Sequence, residues 1–356
     1  MDPNLTDDAR RVIAALGPLN QRFAGKTILL TGAAGFLGGH FIHYFLALND
    51  SCLADKPCRL MAWDNFARGA PPWLDAMPPR PDLLRETRDI TQKQAFPPVD
   101  FILHAASIAS PVFYRRHPIE TMDANVAGLR HLLDAAAARP VESFLFFSTS
   151  EIYGDPGPAD IPTPETYRGN VSCTGPRSCY DESKRYGETL CANFCHVHHL
   201  PVKIVRPFNN YGPGLKISDR RILPDLFRDA LAGRDLVLLS DGLATRTFCY
   251  ISDAMNGYLR ALLSHHEGEP FNIGADAPEI SMRDLAAMVV KVCGRPLRVE
   301  YRQSDDPKYL SDNPQRRCPC LEKSRRMLGY EPRVPLLTGL ERMYQYYLAN
   351  PVAEDN

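Results

Sequence analysis

The segment TGAAGFLG, residues 31–38, constrains the fold more than any other part of the chain. It follows the apolar run KTILLTG (26–32), which predicts a buried strand, and it leads into FLGGHFIHYFLAL (36–48), which predicts a helix. Glycines at such a turn let the backbone approach a pyrophosphate at the N-terminus of the helix. The loop residues predicted to contact a dinucleotide are Gly32, Gly35, Phe36, Leu37 and Gly38.

Short apolar runs and helical stretches continue to alternate after this loop. Further strands are predicted at 58–64, 99–107, 143–150 and 201–208, and long helices at 119–138 and 180–199. The proline-rich residues 65–98 and the Gly-, Pro- and Thr-rich residues 154–177 predict loops. Apolar strands that are separated by helices predict an α/β fold, a Rossmann-type doubly wound parallel sheet.

The alternation loosens after about residue 207. We therefore expect an N-terminal extension (1–24) with a short helix capped near Thr6, then a dinucleotide-binding domain (25–206). A smaller α+β substrate lobe is predicted for 207–350, with some chain at about 236–256 returning to the first domain. Small ligands commonly bind in the cleft between two such lobes.

The bulk composition argues against several classes of partner. The 356 residues carry a formal net charge of −1, which gives no basic footprint for nucleic acid. The polar start of the chain lacks the core of a signal peptide, and no apolar run is long enough to span a bilayer. The ten cysteines show no paired CxxC spacing, so we interpret them as free thiols and predict no metal. A cytoplasmic protein without nucleic-acid or membrane partners is expected.

The second predicted strand ends in Asp64, which indicates the type of dinucleotide. A carboxylate at this point accepts the ribose hydroxyls of NAD and repels the additional phosphate of NADP. Arg68 lies close enough in sequence to weaken that preference. The other residues predicted on the cofactor side are Asn65, Asp89, Ile90 and Ala105, together with Tyr180 and Lys184.

Tyr180 and Lys184 are four residues apart in a predicted helix, so their side chains share one face. A phenol has an ordinary pKa near ~10, too high for a base at neutral pH. A neighbouring ammonium and a nicotinamide cation would lower it, which would let Tyr180 take a proton from a substrate hydroxyl. Thr149, at the end of a strand, is predicted to hold the reacting oxygen against Tyr180; the alternative is that it only caps a turn.

Several strings extend this pattern over nearly the whole chain from residue 25. They are GxxGxxG, Tyr-x-x-x-Lys, LHAAS (103–107), STSEIYG (148–154), RPFNNYGPG (206–214), RTF (246–248) and PFNIG (270–274). Together they resemble the extended short-chain dehydrogenase/reductases, the NAD-dependent epimerase/dehydratase family that acts on nucleotide sugars. Within that family, SEIYGDP (150–156), GNV (169–171) and GPRSCYDESKR (175–185) look most like UDP-glucuronate decarboxylases, the UDP-xylose synthases.

The resemblance implies a reaction and a set of residues. The enzyme would oxidise C4 of UDP-glucuronate, release carbon dioxide from the resulting β-keto acid and reduce the product to UDP-xylose. Tyr180, Lys184 and Thr149 would serve the redox steps, and Glu151 and Arg317 the steps between them. Asn209, Arg246 and Arg317 would meet the substrate, the arginines because guanidinium groups suit phosphate oxygens. The family also implies a homodimer that pairs the helices at 119–138 and 180–199.

Departures from the family pattern leave alternatives open. Gly214-Leu215 stands where the decarboxylases commonly have Arg, Cys320 replaces an Asp, and the stretch at 308–315 is longer. A nucleotide-sugar 4-epimerase or 4,6-dehydratase is the alternative activity, since GDP-mannose dehydratases share the arrangement Thr149-x-Glu151. A redox sensor or binding protein without catalysis is the alternative class, against which the presence of Tyr180 and Lys184 argues.

Overall fold

The computed structural model describes residues 2–306 and 311–351. Its helices are α1 (Pro3–Leu16), α2 (Phe36–Asn49), α3 (Pro72–Asp75), α4 (Pro111–Arg116), α5 (Pro118–Asp123), α6 (Leu129–Ala138), α7 (Ser178–His198), α8 (Ile222–Leu231), α9 (Ile251–Leu262), α10 (Met282–Cys293), α11 (Glu322–Leu328) and α12 (Leu336–Ala349). Its strands are β1 (Thr27–Thr31), β2 (Arg59–Asp64), β3 (Leu83–Thr87), β4 (Phe101–His104), β5 (Ser143–Phe147), β6 (Val202–Pro207), β7 (Asn210–Tyr211), β8 (Leu236–Leu238), β9 (Thr245–Arg246), β10 (Cys249–Tyr250), β11 (Pro270–Ile273), β12 (Ile280–Ser281), β13 (Val299–Tyr301) and β14 (Arg316–Arg317).

A seven-stranded sheet forms the centre of the fold, in the order β3-β2-β1-β4-β5-β6-β11. Every neighbouring pair in it is parallel. β4 and β5 are buried along their whole length, as their unbroken apolar sequences require. The predicted Rossmann-type α/β fold is confirmed. The strand order reverses between β1 and β4, and a ligand crevice opens at that point in such sheets.

Two predicted elements differ from the structure. β3 lies within residues 65–98, which we expected to be loop; it is an edge strand with alternating burial, so it carries no continuous apolar run. The helix expected at 119–138 is divided into α5, a π-helical turn at Ala124–Gly128, and α6. The turn brings Gly128 against Ile90, where a Cβ would lie 2.6 Å from the isoleucine side chain.

The chain after residue 207 contributes to both lobes. Three small sheets, β10-β7, β12-β9-β14 and β13-β8, belong to the second part of the chain. α9 and β11 return to the main sheet. This returning segment continues beyond residues 236–256, the approximate range in which we expected it. The domain limits proposed from sequence otherwise remain a prediction.

The N-terminal helix α1 is part of the packed fold. Its cap is Asp2, whose carboxylate accepts hydrogen bonds from backbone N–H groups of the first turn, whereas Thr6 donates to the Asp2 carbonyl. α1 packs against α2 and α9. Asp8 is buried there and accepts a hydrogen bond from the Tyr250 hydroxyl, at 2.9 Å, and one from Arg342, at 2.9 Å. A fixed ion pair therefore joins this helix to the second half of the chain.

All ten cysteines fall within the described residues and are free thiols. None of the described helices is both long and apolar enough to cross a bilayer.

Candidate active site

A cleft of about 1400 Å³ opens between the two lobes at the carboxyl ends of the central strands. Pockets for one small molecule usually measure roughly 300–1,000 Å³, so this cleft has room for two ligands. All residues predicted for the site line it: Gly32, Gly35, Phe36, Leu37, Gly38, Asp64, Asn65, Asp89, Ile90, Ala105, Thr149, Glu151, Tyr180, Lys184, Asn209, Arg246 and Arg317.

The glycine loop joins β1 to α2 with very little space around its backbone. Gly32 has φ of +73°, and a Cβ there would lie 2.7 Å from the carbonyl carbon of Ala105. A Cβ at Gly38 would lie 2.1 Å from the carbonyl oxygen of Gly32. Only glycine fits these positions, and the exposed backbone at the start of α2 suits a pyrophosphate group.

Asp64 ends β2 beside this loop. Its Oδ2 accepts a hydrogen bond from the Ala34 backbone N–H at 2.9 Å, and its Oδ1 accepts one from the Phe66 N–H at 2.7 Å. A carboxylate has about four acceptor positions, so two remain for ribose hydroxyls. The residues present therefore fit NAD.

Arg68 does not point its charge at Asp64 but joins the two lobes. Its guanidinium lies 3.4 Å from the Asp219 carboxylate and 3.9 Å from the centre of the Phe113 ring. Lys216 donates a hydrogen bond to the Arg68 carbonyl at 2.8 Å. Arg68, which was expected to weaken the preference for NAD, is therefore engaged by Asp219 and Phe113, and it shares the Asp219 carboxylate with Arg221.

The structure brings Tyr180, Lys184 and Thr149 together. Tyr180 stands in the first turn of α7, forms a hydrogen bond with Thr149, and stacks on Tyr114 with 5.0 Å between ring centres and planes 5° apart. Thr149 also accepts a hydrogen bond from the Glu151 backbone N–H at 3.2 Å, so it both caps a turn and contacts the phenol. Lys184 is buried and donates to the Phe147 carbonyl at 2.8 Å.

The protein's own groups together raise the pKa of Tyr180, whereas the sequence-based expectation combined the ammonium with a nicotinamide cation. Burial raises the pKa of the Tyr180 phenol above its ordinary value, and the hydrogen bond from Thr149 opposes that rise. Burial also lowers the pKa of Lys184 to about 7, so its positive charge is weakened in the same environment. Both groups lie in the core, and burial disfavours the charged form of each.

Glu151 is held by two arginines at the wall of the cleft. Arg317 donates to both carboxylate oxygens, at 2.6 and 2.5 Å, and Arg177 donates to Oε2. Burial would raise the pKa of Glu151, but Arg177, Arg317 and Arg246 together lower it to about 2. Glu151 is therefore an ionised group in this state of the molecule.

Asn209 and Arg246 line the same cleft on the side of the second lobe. Asn209 has φ of +35° and donates to the Thr247 carbonyl at 2.8 Å. Arg246 donates to the backbone carbonyls of Thr245, at 2.7 Å, and Pro314, at 2.5 Å. Burial, followed by the charge of Arg317, lowers the pKa of Arg246 to about 9. Contact of these residues with a diphosphate stays a prediction.

Three further residues belong to this site and were not predicted: Arg177, Asp181 and Tyr114. Arg177 and Asp181 stand in GPRSCYDESKR and are four apart, so the helical spacing could have placed them beside Tyr180. No sequence signal brings Tyr114 there, because it comes from α4, far from α7 in the chain.

The departures from the family pattern occupy different places. Gly214 lines the cleft with φ of +86°, and a Cβ there would lie 3.3 Å from Leu5 of α1. Cys320 is not among the described residues that line the cleft. Its backbone N–H donates a hydrogen bond to the Thr163 carbonyl. In the longer stretch at 308–315, residues 308–310 lie outside the described part.

Comparisons with known proteins agree with this architecture. The model of the NAD dependent epimerase/dehydratase family matches residues 28–274. UDP-glucuronic acid decarboxylase 3 from Arabidopsis thaliana is 36% identical over 320 residues, which cover 89% of this chain and 87% of that protein. UDP-glucuronic acid decarboxylase 1 from Xenopus tropicalis is 34% identical over 322 residues, with 90% and 72% covered.

One similar solved structure is UDP-glucuronic acid 4-epimerase from Bacillus cereus in complex with UDP-glucuronic acid and NAD. Its TM-score is 0.74 at 26% identity, and the match covers 91% of this chain and 99% of that one. A dTDP-glucose 4,6-dehydratase from Streptomyces venezuelae has a TM-score of 0.78 at 25% identity, with 91% and 97% covered. The chain belongs to the NAD-dependent epimerase/dehydratase family.

Proposed function

We propose that this chain converts UDP-glucuronate to UDP-xylose and carbon dioxide, with NAD as a cofactor that is regenerated in each turnover. The observation that carries the proposal is Glu151, clamped by Arg317 beside the redox group Tyr180. A dehydrogenase or a 4-epimerase needs no carboxylate and arginine at this point, whereas chemistry on a keto-sugar does. The relatives that are 36% and 34% identical carry the name of this activity.

NAD fits the first lobe through residues of three strand ends. The glycine loop after β1 would hold the pyrophosphate, and Asp64 would accept the ribose hydroxyls. Asp89 and Ile90, after β3, would border the adenine, and Lys184 would reach the nicotinamide ribose. When bound, NAD supplies an acceptor for hydride from the sugar and returns it at the end of the cycle. The geometry of Asp64 and Arg68 supports NAD over NADP.

The redox step depends on Tyr180 and Thr149. Both would contact the C4 hydroxyl of the sugar, and Tyr180 would take its proton as the hydride leaves. Thr149 supports this role by its hydrogen bond to the phenol, which acts against the rise in pKa that burial produces.

Loss of carbon dioxide follows from the chemistry of a β-keto acid. The bond between C5 and the carboxylate breaks, its electron pair passes toward the C4 carbonyl, and a proton is then added at C5. Arg317 is the cation available to bind the carboxylate or, with a water molecule, to assist delivery of that proton. Glu151 is ionised, so its role is to orient Arg317 rather than to donate a proton from this state.

Single-turnover measurements separate these steps. The NADH absorbance band reports hydride transfer, and carbon dioxide release from UDP-glucuronate reports decarboxylation. We expect Glu151→Ala and Arg317→Ala to lower carbon dioxide release more than NADH formation, with the half-buried Glu182→Ala, whose side chain pairs with Arg185, as a matched control. Equal losses in both signals would refute the division of roles, and a wild-type protein that leaves UDP-glucuronate intact would refute the function.

A 4-epimerase is the second candidate, because the similar structure from Bacillus cereus is a UDP-glucuronic acid 4-epimerase. Such an enzyme would yield UDP-galacturonate with the carboxylate retained. A 4,6-dehydratase, by contrast, would ignore uronates and convert a neutral hexose to a keto-deoxy sugar. Product analysis of a panel of nucleotide sugars distinguishes the three outcomes.

We also propose that the protein is a cytoplasmic homodimer. Apolar side chains on α5 and α7 are exposed, including Ile119 (64% exposed) and Val197 (62%). Met122 and Tyr186 add to the exposed apolar surface of these two helices. A second copy that covers α5 and α7 would bury them. The free thiols are compatible with a reducing compartment.

A further inference from the structure

Four charged side chains form a continuous cluster behind the reacting groups; we call Asp181, Arg177, Glu151 and Arg317 the charge cluster. Arg317 donates to both oxygens of Glu151, and Arg177 donates to one of them. The Arg177 Nε lies 3.6 Å from Asp181 Oδ2. Each of the four side chains is at most 18% exposed, so their charges act on each other with little screening by solvent.

The two arginines differ in how they are anchored. Arg177 precedes α7 directly, the helix that carries Tyr180, and Asp181 lies one turn further along that helix. Arg317 comes from β14, a strand of two residues in a small sheet of the second lobe. Arg177 and Glu151 therefore belong to the first lobe, whereas Arg317 reaches Glu151 from the opposite side of the cleft.

An anionic substrate would compete with Glu151 for Arg317. If Arg317 turned to a substrate carboxylate and no other cation were present, Glu151 would be a buried charge without a partner, which is strongly unfavourable. Arg177 removes that obstacle, since it keeps an oxygen of Glu151 paired whichever way Arg317 is directed. Asp181 lies 3.6 Å from Arg177 and balances its charge when it is ionised.

We propose that Arg177 and Asp181 are positioning residues, which hold the Glu151 carboxylate in the cleft while Arg317 exchanges from Glu151 to the carboxylate of a bound uronate. This inference rests on the proposed function for the identity of the uronate. The role of Arg177 toward Glu151 follows from the contacts alone. Neither residue is required to touch the substrate.

The charge balance gives the direction of the effect. After burial, which acts in the opposite sense, Arg177 is the strongest influence on the pKa of Glu151 and lowers it. Replacing Arg177 by a neutral side chain must therefore raise the pKa of Glu151 and leave Arg317 as its remaining close cation. Arg317 is then less available to a substrate carboxylate.

Binding measurements test this competition directly. In the NAD-loaded protein, we expect Arg177→Met to weaken binding of UDP-glucuronate by about tenfold relative to UDP-glucose, a typical size for such coupling. Arg177→Lys should recover part of the difference, and Asp181→Asn should show a smaller effect. Glu182→Gln is the matched control, because Glu182 is next to Asp181 in the chain, is half-buried and pairs with Arg185. An equal loss for both sugars, or none, would overturn the exchange of Arg317.

A second experiment needs no substrate. The carboxyl band of Glu151 is isolated by infrared difference spectra between each protein and its Glu151→Gln counterpart, recorded as a function of pH. In Arg177→Met, we expect Glu151 to take up its proton at a higher pH than in the wild type. An unchanged titration would overturn the positioning role itself. If the titration shifts but the wild type does not decarboxylate UDP-glucuronate, the proposed function fails and the role of Arg177 toward Glu151 stands.

Discussion

Replacing Gly38 by alanine is expected to weaken NAD binding by moving the backbone of the glycine loop. The new Cβ would lie 2.1 Å from the Gly32 carbonyl oxygen and 2.7 Å from Ala33 Cα. Ordinary contact begins at 3.4 Å, so the oxygen must retreat by about 1.3 Å. Gly32 itself is closely packed, since a Cβ built on it would lie 2.7 Å from the backbone of Ala105.

Overpacking of this kind costs about 1–3 kcal/mol. If the loop must recover its shape to bind NAD, the dissociation constant for NAD should rise by roughly 5- to 150-fold. Gly35→Ala is the graded control, because its Cβ would meet the same oxygen at 3.1 Å, a displacement of only about 0.3 Å. Titration of NAD into each protein by fluorescence, with thermal unfolding recorded in parallel, measures both effects. If Gly38→Ala and Gly35→Ala bound NAD equally well, the close approach of the loop would not determine affinity.

Four further predictions address other parts of the molecule. Tyr180→Phe should remove most turnover at neutral pH while leaving NAD affinity nearly intact, because the ring still packs on its neighbour; near-normal turnover would assign the base to another group. Asp64→Ala should reduce the preference for NAD over NADP, as titration of both cofactors would show, since the carboxylate that repels a 2′-phosphate is lost. Ile119→Asp together with Val197→Asp should shift the mass in light scattering from dimer to monomer, and a wild type that is monomeric at all concentrations would end the dimer proposal. Burial and the charge of Glu151 raise the pKa of Asp181 to about 7, so the folded state binds this proton more tightly than the unfolded chain does. The free energy of unfolding should therefore fall as the pH rises from about 4 to 7. Asp181→Asn should reduce the accompanying fall in melting temperature.

Sequence patterns predicted the central sheet well where burial imposes a continuous apolar run. β1, β4 and β5 are recognisable because both of their faces are covered. β3 escaped recognition because it is an edge strand with one exposed face, surrounded by prolines. The division of the helix at 119–138 also has no clear sequence signal, since Ala, Asn and Val at the π-helical turn are compatible with an ordinary helix.

The candidate site was predictable where its chemistry depends on local spacing. The glycine loop, Asp64 and the Tyr180–Lys184 pair are set by strand ends and helical turns, so the chain itself displays their arrangement. The pKa of Tyr180 and the clamp on Glu151 depend on burial and on a residue 166 positions away, and neither can be obtained from spacing. Arg177 was only partly predictable: the sequence shows the motif GPRSCYDESKR that contains it, but does not show that it pairs with Glu151.

The strand order has a consequence for how the chain folds. β6 becomes an internal strand only when β11 pairs with it. α1 packs against α9, which is far later in the chain. The hydrogen bond between Tyr250 and Asp8 spans 242 residues. Contacts of such long range must pay the entropy of closing a large loop, which slows folding. A fragment limited to residues 25–206 would expose the edge of β6 to pairing with other chains, so the two lobes are expected to fold as one cooperative unit.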